Sequence, residues 1–123
     1  MSVSPPGWRR FFPGAEAVGF AWTVLLGFAR LSTNPRIYER PLGSREALDL
    51  IDDWLAQPVA KVVEPTFRHT VILRELLEPL GVGGNLVSDA HLAALAIEHG
   101  AELCSRDNDF ARFIGVRWVD PLA

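Results

Sequence analysis

The stretch Asn85 to Phe113, NLVSDAHLAALAIEHGAELCSRDNDFARF, concentrates the residues able to do chemistry. Asp89 falls near the start of an alanine-rich helical run, and Asp107 and Asp109 follow a strand-like run, Ala101 to Cys104. Carboxylates from a helix start and a strand end can converge in the crevice beyond the carboxyl ends of parallel strands, where ligands collect in open α/β sheets. Their oxygens suit a hard divalent cation, which is commonly held by one or two carboxylates with waters and substrate completing the shell. Repulsion between clustered carboxylates raises their pKa values when no ion is bound, and this favours cation binding. Two acids have simpler readings beside this one. Asp89 is also an acid favoured by the dipole at a helix N-terminus, and Asp109 is also a cap for a short helix containing Phe110 and Phe113.

The elements that must position these acids follow from periodicity. Leu86, Ala90, Ala93 or Ala94 and Ile97 recur at helical spacing, and the alanines with Leu92 and Leu95 make the run apolar nearly all round, as for a helix buried between layers. Gly100 supplies a helix stop, with His99 beside the last carbonyls. Upstream, Val18 to Trp22 reads as a short buried strand, with Thr23 capping a helix that the STNPR run ends at Pro35. Ser44 is the expected cap of a helix over Arg45 to Gln57. Its inner face is Ala47, Leu48, Leu50, Ile51, Trp54 and Leu55, and its outer face carries Asp49, Asp52 and Asp53. Ala60 to Glu64 reads as a strand, and Pro65–Thr66 starts a helix through Phe67, Val71, Ile72 or Leu73, Leu76 and Leu77. Val116 to Val119 is the last strand. Strands alternating with helices imply βαβ units, a mostly parallel sheet and a three-layer α/β/α architecture.

The run DAHLAALAIEHGAELCSRDNDFARFIGVRWVDPL, with GFARLSTNPRIYERP and EALDLIDDWLAQP upstream, resembles the PIN-domain ribonucleases, in particular the toxin subunits of VapBC toxin–antitoxin pairs. The resemblance implies an endoribonuclease using Mg2+ or Mn2+ on a carboxylate cluster, restrained by a cognate antitoxin and commonly a homodimer. Asp89 matches the family's acid on the late helix, and Asp107 matches the acid after the following strand, with Asp109 its neighbour. This makes Asp89, Asp107 and Asp109 the candidate catalytic residues and Asp89 and Asp107 the candidate metal ligands. Asn85 is placed to orient a carboxylate, and Arg106 to meet a phosphate or neutralise Asp107. The family also begins with an apolar strand ending in an Asp ligand, and many members carry a Glu on the helix after the second strand. Here residues 1–17 contain Glu16 as their only acid, and TVLLGFARL contains none, so the domain reads as N-terminally shortened. The alternative is therefore a catalytically silent module that binds an antitoxin or dimer partner, or a fragment that folds only with its missing strand supplied.

Size fits one domain over residues 1–123, with residues 1–7 loose and Trp8 to Phe12 the end of a helix. A net charge of −3 provides no global attraction to RNA, so binding would need a local basic patch. Cys104 is the only cysteine, which excludes an intramolecular disulfide and fits a reducing compartment, the cytoplasm. It is expected to be a plain buried thiol. No apolar run reaches the roughly 20 residues of a membrane span. His69, His91 and His99 have no HExxH spacing, so no zinc-protease site is expected, and GVGGN lacks the Lys-Ser/Thr ending of a phosphate loop. Trp22, Trp54 and Trp118 read as core anchors.

Overall fold

The computed structural model describes residues 17–81, 83–105 and 108–119, apart from the side chain of Asn108. The chain forms two compact units, Met1–Val63 and Glu64–Ala123. The expectations for residues 1–7, Trp8 to Phe12 and Glu16 fall outside the described residues.

In the first unit, β1 (Val18–Phe20) and β2 (Ala60–Val62) pair in parallel, with Val18 opposite Ala60 and Phe20 opposite Val62. Between them come α1 (Trp22–Ser32) and α2 (Ser44–Leu55), which pack on each other with the Phe28 and Trp54 rings 4.6 Å apart. Leu25, Ala47 and Ile51 are buried. Four local expectations are corrected here. Thr23 lies inside α1, whose cap is Ala21. Ser44 is the first residue of α2, and the capping position is Gly43, whose N–H donates to Glu46 Oε1 at 3.1 Å. Leu48 and Leu50 are exposed, because only the narrower stripe through Ala47 and Ile51 meets a packing partner. Trp22 is 44% exposed and anchors no core.

The second unit contains α3 (His69–Leu77), a 3-10 turn (Glu78–Leu80), α4 (Leu86–Glu98), β3 (Leu103–Cys104), a second 3-10 turn (Asn108–Arg112) and β4 (Trp118–Val119). β3 and β4 are parallel, with Leu103 opposite Trp118. Every strand pairing among the described residues is therefore parallel, as the βαβ pattern predicts. The core joins Ile72 and Leu76 of α3, Ala90, Ala93 and Ala94 of α4, and Phe110 and Phe113. Alanine explains the closeness of this packing: it costs no side-chain entropy in a helix and leaves room for neighbours to approach. Each fully buried aromatic here contributes about 1.5–3 kcal/mol relative to exposure. The helix expected from Pro65–Thr66 begins at His69 instead, which leaves Phe67 outside it and 95% exposed.

The end of α4 follows directly from one residue type. Gly100 adopts φ +61°, the left-handed region that a side chain disfavours. Its N–H donates to Ile97 O (3.2 Å) and the Ala101 N–H to Ala96 O (2.8 Å), the paired bonds of a Schellman motif. The chain is thereby turned into β3 within a few residues. The His99 ring does not meet the last carbonyls of its own helix; its Nε2–H donates to Glu64 O at 2.8 Å.

Candidate functional site

Asp89 is in the first turn of α4, half-buried, where the helix dipole favours a negative charge. That turn starts from the glycine loop, in which Gly84 takes φ +54° and the Leu86 and Val87 N–H groups donate to Gly83 O and Gly84 O. The loop thus turns the chain and feeds a helix, and the described element before it is the 3-10 turn Glu78–Leu80. Asn85 occupies the capping position, is exposed, and makes no side-chain capping hydrogen bond.

Asp109 lies in the first turn of the second 3-10 segment. Its side chain is 41% exposed, and its Oδ1 lies 3.5 Å from Arg112 Nη2 in an ion pair. The segment packs on α4 through Phe110 and Phe113, so Asp89 and Asp109 belong to two mutually packed elements. Asp107 and Arg106 lie outside the described residues, directly after the carboxyl end of β3 in sequence. The described donors are carboxylate oxygens, whose hardness fits Mg2+ or Mn2+. Among the described residues, no three His, Cys, Asp or Glu side chains converge as a metal-binding group.

The structure also assembles polar residues that sequence reasoning did not bring together. The Glu98 side chain is 0% exposed. Its Oε1 accepts from the Thr66 N–H (2.9 Å) and Oγ1–H (2.6 Å), and its Oε2 from His69 Nδ1–H (2.5 Å). His69 Nε2 then faces His91 Nδ1 at 2.9 Å, with the two rings nearly perpendicular at 78°. Thr66 Oγ1 also accepts from the Arg68 N–H at 3.1 Å, so one side chain orders the entry to α3 and holds the carboxylate. Burial by itself would raise the Glu98 pKa, but the hydrogen bonds from Thr66 and His69 outweigh it and hold the carboxyl below its ordinary range. Burial, and then the His69 charge, lower the His91 pKa, with Glu98 opposing them. The signal available in sequence was faint: His91 and Glu98 stand two helical turns apart on one stripe of an otherwise apolar helix.

Cys104 is half-buried in β3, less enclosed than expected. Trp118 Nε1–H donates to Ser105 O at 2.8 Å, tying β4 to the residue after β3. No helix of the described residues is long and apolar enough to cross a membrane.

Comparison with known proteins places this geometry in context. The PIN domain family model matches residues 20–115, across both units. Ribonuclease VapC37 of Mycobacterium tuberculosis is 54% identical over 110 residues, covering 89% of this chain and 76% of the relative. Ribonuclease VapC43 of the same species is 40% identical over 107 residues, covering 87% of this chain and 73% of the relative. Ribonuclease VapC33, also from that species, is 37% identical over 115 residues, with 94% and 80% covered. The match carries with it the α/β, PIN-like three-layer fold class.

Proposed function

The chain belongs to the PIN-domain family, alongside the VapC ribonucleases, and from that premise we propose that it is the ribonuclease toxin of a toxin–antitoxin pair, hydrolysing RNA phosphodiester bonds in the cytoplasm. The observation that carries this reading is Asp89. It is a half-buried acid in the first turn of α4, within the residues that the PIN domain model matches.

In this reading residues 1–123 form one PIN-like domain. Asp89 and Asp107 are the ligands of a Mg2+ or Mn2+ ion. When bound, that ion supplies the Lewis-acid charge that phosphodiester hydrolysis needs. The protein's part is positional. The first turn of α4 sets the Asp89 carboxylate, the segment after β3 sets Asp107, and Asp109 contributes a neighbouring oxygen from a turn fixed by two buried phenylalanines. Arg106 meets a substrate phosphate and Asn85 orients a carboxylate. A VapB-type antitoxin covers the site, and the working form is a homodimer.

The test is cleavage of a structured RNA by the purified chain with Mg2+, Mn2+ or EDTA, beside Asp89→Ala and Asp107→Ala. Metal-dependent cleavage lost in both variants supports the reading. A folded, monodisperse chain that leaves RNA intact sinks it in favour of a silent antitoxin-binding module.

A further inference from the structure

We propose that the connection between α1 and α2 is a binding surface for single-stranded RNA, in which arginines hold phosphates and Tyr38 stacks on a base. The choice of RNA over another polyanion rests on the ribonuclease reading.

The first observation is where positive charge stands unmet. Residues 30–45 carry Arg30, Arg36, Arg40 and Arg45 against one acid, Glu39, in a chain whose net charge is −3. All four arginines are exposed. Among the described residues, none of the four takes part in an ion pair. Arginines of the second unit differ: Arg74 pairs with Glu78, Arg112 pairs with Asp109, and Arg117 donates to Gly100 O at 2.7 Å. Affinity for a nucleic acid comes from cations that neutralise its phosphates, and an arginine already engaged by the protein offers less of it.

The second observation is the aromatic ring set among these charges. Tyr38 is 52% exposed and stands between Arg36 and Arg40 in the chain. Single strands are held by such a combination, since unpaired bases stack on aromatic rings while cations track the backbone. The bases of a duplex are already stacked on each other.

The backbone that presents these side chains is fixed from within. Leu42 N–H donates to Ser32 O at 2.9 Å, which ties the two ends of the connection together, as in the compact surface loops that frequently carry function. Inside it, Asn34 Oδ1 accepts from the Arg36 N–H at 2.9 Å, and Asn34 O accepts from the Ile37 and Tyr38 N–H groups at 3.1 and 3.2 Å. Less freedom is therefore lost when a ligand binds. The acids of the outer α2 face, Asp49, Asp52 and Asp53, come after the first turn of that helix, which confines a polyanion to the loop and the adjoining helix ends.

The test is fluorescence anisotropy of a short, end-labelled, mixed-sequence RNA strand titrated with the full chain in EDTA, so that binding is read apart from cleavage. The wild-type chain should bind saturably, with a log–log salt slope of roughly −3 from four phosphate contacts at about −0.7 each. Arg36→Gln and Arg40→Gln together should roughly halve that slope. Tyr38→Ala should lower affinity about tenfold, Tyr38→Phe should keep it, and Arg74→Gln should change nothing. Every substituted side chain is exposed, and unchanged thermal unfolding of each variant confirms that the fold is kept. Wild-type affinity in the double arginine variant overturns the proposal, as does a wild-type chain that binds no RNA or binds the duplex of the same sequence equally well. Displacement of the strand by polyglutamate at equal charge also overturns it, and makes the loop a surface for an acidic protein. A chain that binds RNA through this loop without cleaving it upholds the proposal and sinks only the ribonuclease reading.

Discussion

Two faces of α4 carry the polar chemistry of the second unit, and they are built in opposite ways. Asp89 and Glu98 are nine residues apart, which places them about half a turn from each other around the helix. The Asp89 face is partly open, and the acids proposed to act with it, Asp107 and Asp109, follow β3 in sequence. The Glu98 face is closed, and its partners are bound to it by hydrogen bonds of 2.5–2.9 Å. An acid that must receive a substrate phosphate has to keep access to solvent. One that holds two helices together must have its oxygens satisfied from within.

The largest effect expected from breaking this contrast is on cleavage. Asp89→Ala should lower RNA cleavage by more than about 100-fold, since even residues behind a metal ligand cost 10–100-fold. Thermal unfolding should be nearly unchanged, because the side chain is only half-buried. Phe110→Ala tests the support beneath the site. It empties a side chain that is 3% exposed and should cost about 3–5 kcal/mol in urea unfolding. On the closed face, Glu98→Ala leaves the Thr66 and His69 donors without their acceptor. It should destabilise the chain by roughly 1–3 kcal/mol for each donor left dry, a loss of stability where Asp89→Ala gives a loss of activity.

The pH dependence sharpens the same point. Folding lowers the Glu98 pKa from its ordinary 4.5, so its stabilising contribution is complete above that value and is lost as pH falls through the folded pKa. Melting temperatures measured from neutral pH into acid should fall more steeply in the wild type than in Glu98→Gln below that point. The smallest effect belongs to Asp109→Asn. Its pair with Arg112 is long and exposed, so stability should change by no more than about 1 kcal/mol. A drop in cleavage well beyond that would assign Asp109 to the catalytic cluster.

Much of the fold was legible because its signals are local. The apolar period predicts α4, Gly100 its end, the strand-like run through Cys104 β3, and the alternation of strands and helices the parallel pairing. The helix starts at Thr23, Ser44 and Thr66 were misplaced because capping residues are common in loops, and the backbone hydrogen bonds of the first turn decide which one serves. Leu48, Leu50 and Trp22 were misread for another reason. Apolar character shows what can be buried, while burial needs a partner surface that periodicity does not reveal.

The sequence by itself determined the family and the fold class, since these are written in residue type, order and short spacing. Tertiary structure alone decided the Glu98 cluster. Its contacts join residues 22, 29 and 32 positions apart in the chain, and no local rule links a threonine and a histidine at the entry to α3 with a carboxylate at the far end of α4. Only the packing of α3 on α4 brings them within hydrogen-bonding distance. Once there, the exclusion of water requires that every polar atom find its partner among the others.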